Sequence, residues 1–194
     1  MKKKLLETFA LMGAPFLGID MLTGVFFPDF VEANPWFSGF TGLLYITGWL
    51  ASMEGLRRLL DTPTRDLSWY AIRIVMFTLV IADVSNIWAM VSTQKPVLFY
   101  ILDAGWPVSN LLMLLVAWAV FRSGQLKPYG PLVTLAMGLW LPVSLLLGRS
   151  NVAFCIDGIY SALVWVLFAW VVMKARFMPV LAVQSLFINH KNFN

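Results

Sequence analysis

The sequence predicts an all-α, polytopic membrane protein: a six-transmembrane-helix bundle with short outer loops and with its N- and C-termini in the cytoplasm. Composition is the first observation, because 60% of the 194 residues are hydrophobic and 12% are charged, and the mean hydropathy is +0.78. Soluble proteins are about 45–50% apolar and about 25% charged. The composition therefore excludes a soluble enzyme, a secreted disulfide scaffold and a disordered chain.

Six apolar segments are the second observation. A helix crosses the hydrocarbon core with about 20 mostly apolar residues. Segments of this kind lie at roughly 7–27, 37–56, 71–92, 98–121, 129–148 and 153–174. Their apolar runs are continuous and do not alternate, which favours helices over a β-barrel. We predict a transmembrane domain over residues 1–174, with its first span retained and not cleaved as a signal peptide, and a cytoplasmic C-terminal tail over residues 175–194.

The distribution of basic residues is the third observation, and it sets the orientation. The connections at 28–36, 92–97 and 148–152 are short, whereas those at 55–70 and 122–127 are polar and basic. With the N-terminus inside, only Lys95 and Arg149 of the fourteen Lys and Arg residues lie outside. Cytoplasmic loops carry an excess of Lys and Arg. We therefore predict a multi-pass protein of the cell (inner or plasma) membrane with both termini inside.

Few residues can hold a cofactor or a metal. The single cysteine, Cys155, has no partner for an internal disulfide, and the single histidine, His190, lies close to the C-terminus. Haem and zinc sites built on histidine pairs, and histidine-cluster di-iron sites, therefore lack ligands within one chain. We expect no cofactor and no metal. The basic residues lie at helix ends and form no single patch, so we expect no nucleic-acid partner.

Acidic residues inside the predicted spans are the strongest functional signal. Asp20, Asp83, Asp103 and Asp157 lie in spans one, three, four and six. An acid within a membrane costs a few kcal/mol to insert, so it usually faces a partner or a water-filled cavity. At about 1.5 Å per residue, all four lie roughly 8–12 Å below the outer ends of their spans. This shared depth predicts an outward-facing acidic pocket.

Polar and aromatic neighbours at helical spacing extend this candidate pocket. The predicted ligand-binding residues are Asp20, Asp83, Asn86, Asp103, Trp106, Asn110, Asp157 and Tyr160. An aromatic face near a carboxylate suits an organic cation, so the expected ligand is a proton, a small cation or an amine-bearing solute. The structural alternative is four unrelated acids, because Asp103 and Asp157 also lie near helix N-termini, where the helix dipole favours a carboxylate.

Pro107 bears on the same pocket. It follows Asp103 by four residues and lacks an N–H, so it frees the Asp103 carbonyl from its helical hydrogen bond. A free carbonyl beside a carboxylate can form a cation ligand pair. The alternative is a plain kink, since proline is common in membrane helices.

The sequence is compatible with three functions. The first, which is favoured, is a transport or solute-binding protein with the outward acidic pocket. The second is a non-catalytic sensor or assembly subunit that docks a partner protein, or a second copy of itself, through the small-residue face of Ala10 and Ala14 and through the basic inner loops such as 55–70. The third is an enzyme that modifies lipid or prenyl substrates with carboxylates. The chain has no D-D-x-x-D motif, which makes an enzyme the weakest of the three.

Overall fold

The computed structural model describes residues 3–60, 67–124, 126 and 128–175, and every regular element within them is a helix. These helices are α1 (Lys3–Gly13), α2 (Phe16–Phe26), α3 (Pro28–Ala33), α4 (Trp36–Leu59), α5 (Leu67–Val91), α6 (Val97–Asp103), α7 (Gly105–Ser123), α8 (Gly130–Leu147) and α9 (Asn151–Lys174). The all-α prediction is confirmed for this part of the chain. The predicted C-terminal tail lies outside the described residues, apart from Ala175.

Two of the apolar segments are broken helices. A turn at Ala14–Pro15 separates α1 from α2, and a turn at Ala104 separates α6 from α7. Proline explains the first break, because Pro15 has no N–H to donate to the preceding turn. In the second, Pro107 lies in the first turn of α7, just after the break.

Five segments are long and apolar enough to cross a membrane, counting only described residues. They are Lys4–Phe26, Leu67–Val91, Val97–Ser123, Gly130–Leu147 and Asn151–Lys174. Each overlaps a predicted span. Large apolar side chains lie on their outer surfaces; Phe77 is 66% exposed and Leu163 is 60% exposed. An apolar surface of this extent is compatible with a multi-pass membrane protein.

The predicted second span, 37–56, lies within α4, which is not among those five segments. Its 24 residues are long enough, at about 36 Å. Its sequence, however, includes Gly, Ser, Thr, Tyr and Trp, and its last turns carry Glu54, Arg57 and Arg58. Helix α4 packs against α1, α2, α5 and α9. A central helix can be this polar because much of its surface faces protein and not lipid.

Small residues bring the first segment close to the bundle. A methyl group on Gly13 would lie 2.7 Å from the Cα of Gly48 in α4, which is closer than a real methyl can approach. Ala10 and Ala14 are 0% and 2% exposed. The small-residue face that we expected to be available to a partner is therefore buried against helices of the same chain.

Candidate functional site

A cavity of about 260 Å³ lies toward the end of the bundle where α2 and α5 end and where α4 and α6 begin. We call it the acidic chamber. Its lining consists of Leu17, Asp20, Met21, Ser38, Gly42, Tyr45, Ile46, Ala82, Asn86, Asp103 and Trp106. Four of the eight predicted site residues are in this set. The lining, as far as the structure describes the chain, contains no Lys, Arg or His.

Helix α4 supports one carboxylate of the acidic chamber. Thr41 is 1% exposed, and its Oγ1 donates to Asp20 Oδ1 at 2.9 Å. Thr41 lies four residues before Tyr45, so both project from the same face of α4. A hydroxyl donor orients a carboxylate without neutralising it. The side chain of Asp20 is therefore oriented toward the chamber by a neutral donor.

The break between α6 and α7 supports the second carboxylate. Asp103 is the last residue of α6, and Ser85 Oγ donates to its Oδ1 at 3.2 Å. Gly105 lies directly on the backbone of α5, where a methyl group would meet the Thr78 carbonyl and would lie 3.3 Å from the Ala82 nitrogen. The absence of a side chain at Gly105 thus lets the broken helix approach α5, which places Asp103 beside Ser85.

Asn86 contributes an amide to the lining, and Asp83 lies behind it. Asn86 Nδ2 donates to Asp83 Oδ1 at 3.4 Å, within one turn of α5. The other side of the amide packs on Gly42, where a methyl group would lie 2.9 Å from Asn86 Cγ. Asp83 is not in the chamber lining. It contacts the chamber through Asn86.

Two aromatic side chains complete the chamber on its inner side. Trp106 Nε1 donates to the Tyr45 hydroxyl at 3.2 Å, which joins α7 to α4. Tyr45 is 2% exposed. The two rings therefore separate the chamber from the centre of the bundle.

The remaining predicted residues lie outside the chamber lining. Asp157 is 2% exposed and accepts a 2.6 Å hydrogen bond from Ser144 Oγ, between α9 and α8. The Tyr160 hydroxyl donates to the Ala136 carbonyl at 2.8 Å, between the same helices. Asn110 Nδ2 donates to the Trp106 carbonyl at 3.2 Å. The structure thus brings Asp20 and Asp103 together but places Asp157 in a separate helix contact.

Sequence reasoning missed the residues of α4 that build the chamber, namely Ser38, Thr41, Gly42 and Tyr45. The signal for them was present. This segment combines length with unusual polarity, and its small and hydroxyl-bearing residues recur at helical spacing. A polar stripe on a membrane helix usually faces the interior of a bundle.

Comparisons with known proteins add no function to this geometry. No protein-family model, curated protein or solved structure matches the chain. Among the described residues, no group of three or more His, Cys, Asp or Glu side chains is arranged so that it could hold a metal ion. The chemistry of the acidic chamber is therefore the basis for a functional proposal.

Proposed function

We propose that this chain is a six-span membrane protein that binds and transports a small amine-bearing cation in the acidic chamber. One observation carries the proposal. The carboxylates of Asp20 and Asp103 share a lining with the rings of Tyr45 and Trp106, and no basic side chain of the described residues shares it.

The charge of the acidic chamber favours a cationic ligand. Asp20 and Asp103 receive hydrogen bonds from the neutral hydroxyls of Thr41 and Ser85. Both side chains line one partly buried site, where a charge interaction is stronger than in water because the local dielectric is lower. An ammonium group in the chamber would gain attractive contacts with carboxylates from two helices.

The size and walls of the chamber favour an organic amine. Its volume of about 260 Å³ is slightly below the range of roughly 300–1,000 Å³ that is usual for drug-sized ligands. The faces of Tyr45 and Trp106 suit an alkylammonium group, which aromatic rings attract through their quadrupoles. A small primary amine fits both properties, and a bare metal ion uses neither ring.

In this proposal α4 is the second of the six spans, since its 24 residues match the bilayer and Thr41, Tyr45 and Ser52 are buried against other helices. With both termini inside, the excess of Lys and Arg lies in the cytoplasm. The acidic chamber then opens toward the outside. Ala10 and Ala14 are buried within the single chain, which favours this proposal over docking of a partner on their face.

Binding of small primary amines by the purified protein tests this proposal. We expect Asp20→Asn and Asp103→Asn each to weaken the binding of 3-aminopropan-1-ol about tenfold or more, since a hydrogen bond to a charged group contributes about 1.5–3 kcal/mol. Asp29→Asn is the matched control, because Asp29 is exposed on α3 and is not part of the chamber lining. Unchanged affinity in both chamber variants would contradict the proposal, as would an absence of amine binding by the unmodified chain.

A further inference from the structure

Five aromatic side chains pack together on the inner side of the acidic chamber. They are Tyr45, Trp49, Trp106, Trp140 and Trp165, and we call them the aromatic cluster. Ring centroids lie 5.1 Å apart for Trp106–Trp140, 6.4 Å for Trp140–Trp165, 5.6 Å for Tyr45–Trp165 and 5.3 Å for Trp49–Trp165. The hydrogen bond from Trp106 to Tyr45 joins these two rings as well, so that the contacts form a closed ring of neighbours. Four helices, α4, α7, α8 and α9, thus contribute rings to one cluster.

The aromatic cluster adjoins the chamber directly. Tyr45 and Trp106 belong to both, and Trp49 lies one turn beyond Tyr45 along α4. A solute that leaves the chamber toward the other end of the bundle therefore meets these rings first. The solute can pass only if the Trp106–Tyr45 hydrogen bond breaks.

Polar atoms in and beside the cluster lack partners. The indole Nε1 atoms of Trp49 and Trp165 are buried with no hydrogen-bond acceptor in the part of the chain that the structure describes, and each side chain belongs to a residue only 1% exposed. The amide Oδ1 of Asn110, one turn from Trp106 on α7, is likewise buried without a donor. Trp140 differs, since its Nε1 lies 3.5 Å from the Asp157 carbonyl. Buried polar groups are normally satisfied, so these three atoms require an explanation.

We infer that the aromatic cluster is a second, inner binding position for the transported solute, and that this solute carries an oxygen acceptor as well as an ammonium group. The inference rests on the proposed function. The ring faces attract the ammonium group, and Asn110 Oδ1 accepts one of its N–H groups. The indole N–H groups of Trp49 and Trp165 donate to the oxygen. The ligand class is therefore an amino alcohol or a related oxygen-bearing amine.

This arrangement selects for the oxygen. A site that presents unpaired hydrogen-bond donors discriminates strongly against an analogue that lacks the matching group, because the donors then stay buried and unpaired. A methyl group in place of the hydroxyl fills the same volume and accepts no hydrogen bond. The inner position therefore distinguishes 3-aminopropan-1-ol from n-butylamine, which has the same number of non-hydrogen atoms.

Uptake of these two labelled amines into proteoliposomes tests the inference. We expect the unmodified protein to take up 3-aminopropan-1-ol at least about tenfold faster than n-butylamine. Trp49→Phe and Trp165→Phe each keep an aromatic ring and remove the unpaired N–H, so each is expected to reduce this preference to about threefold or less. Trp170→Phe is the control and keeps the preference, because Trp170 is 49% exposed on α9 and lies outside the aromatic cluster. Uptake into protein-free liposomes is subtracted for each amine, because the uncharged form of a small amine crosses a bilayer unaided. The ratio of the two corrected rates in one preparation does not depend on the fraction of protein that folds.

The outcomes separate this inference from the proposed function. If the unmodified protein shows no preference for the amino alcohol, or if both Trp49→Phe and Trp165→Phe retain it, the inner position is overturned. Amine binding that depends on Asp20 and Asp103 would still stand in that case. If amine binding does not depend on those two carboxylates, the chamber itself is wrong, whatever the uptake ratio.

Discussion

Thr41 Oγ1 donates a 2.9 Å hydrogen bond to Asp20 Oδ1, and this bond joins α4 to α2 at the acidic chamber. Helix α4 is the most polar of the long helices. It supplies a hydroxyl donor to Asp20, which receives none from α2 in the described structure. Both polar residues occur in helices that also carry large apolar side chains. Each satisfies the other within the protein.

Removing this hydroxyl tests the pairing. Thr41→Val preserves the shape of the side chain and leaves a partly buried carboxylate without its donor, so we expect the free energy of unfolding to fall by about 1–3 kcal/mol. Thr41→Ser retains the hydroxyl and is expected to melt close to the unmodified protein. The measurement is thermal unfolding in one detergent. Equal melting temperatures for the Val and Ser variants would show that the bond contributes nothing.

Gly42 sets the position of Asn86 in the chamber lining. A methyl group there would lie 2.9 Å from Asn86 Cγ, so Gly42→Ala must push the amide away or part the two helices. We expect amine affinity to fall about tenfold and stability to fall by about 1–3 kcal/mol. Gly24→Ala is a matched control, since nothing lies within 4 Å of the added methyl at this exposed position of α2. Calorimetric titration should separate the two variants, and identical affinities would refute the role of Gly42.

Ala10 distinguishes packing within the chain from contact with another chain. Ala10 is 0% exposed in the single chain. Ala10→Leu therefore overfills an internal contact, and we expect it to lower the free energy of unfolding by about 1–3 kcal/mol or more. Light scattering of the purified protein would show the same mass before and after the change. A variant that melts normally but changes its oligomeric state would instead place this face between chains.

The crossing of α4 can be measured by labelling single cysteines. Ala33 and Leu67 are exposed positions on either side of α4, and Cys155 can be replaced by serine to leave one thiol at a time. If α4 spans the membrane and the N-terminus is inside, a membrane-impermeant maleimide labels Ala33→Cys in intact cells. It labels Leu67→Cys only after permeabilisation. Labelling of both from the same side would exclude α4 as a membrane span.

The sequence predicted the helices well because continuous apolar runs have one solution in a bilayer. At Pro107 the sequence predicted a freed Asp103 carbonyl or a plain kink, whereas the structure has two helices that are separated at Ala104. The role of Gly105 was not predicted. Contact between Gly105 and the α5 backbone depends on how two distant segments meet, and no local pattern encodes that distance. Helix α4 shows the opposite limit, since hydropathy judges exposure to lipid while its Thr41, Tyr45 and Ser52 are buried against protein.

Only part of the site was predictable for a related reason. Depth along each span placed Asp20 and Asp103 at similar heights, and both line the acidic chamber. Depth says nothing about rotation around the bundle, so Asp157 had the expected height but bonds to Ser144 in a different helix contact. The partners Thr41 and Ser85 come from other helices. Pairings of that kind need the tertiary fold.

The most direct test of the account is calorimetric binding of 3-aminopropan-1-ol to the Asp20→Asn/Asp103→Asn double variant, with Asp157→Asn as the control that removes a carboxylate outside the chamber lining. The account predicts saturable binding by the unmodified protein and by Asp157→Asn, and no detectable binding by the folded double variant. Binding by the double variant at the affinity of the unmodified protein would contradict it.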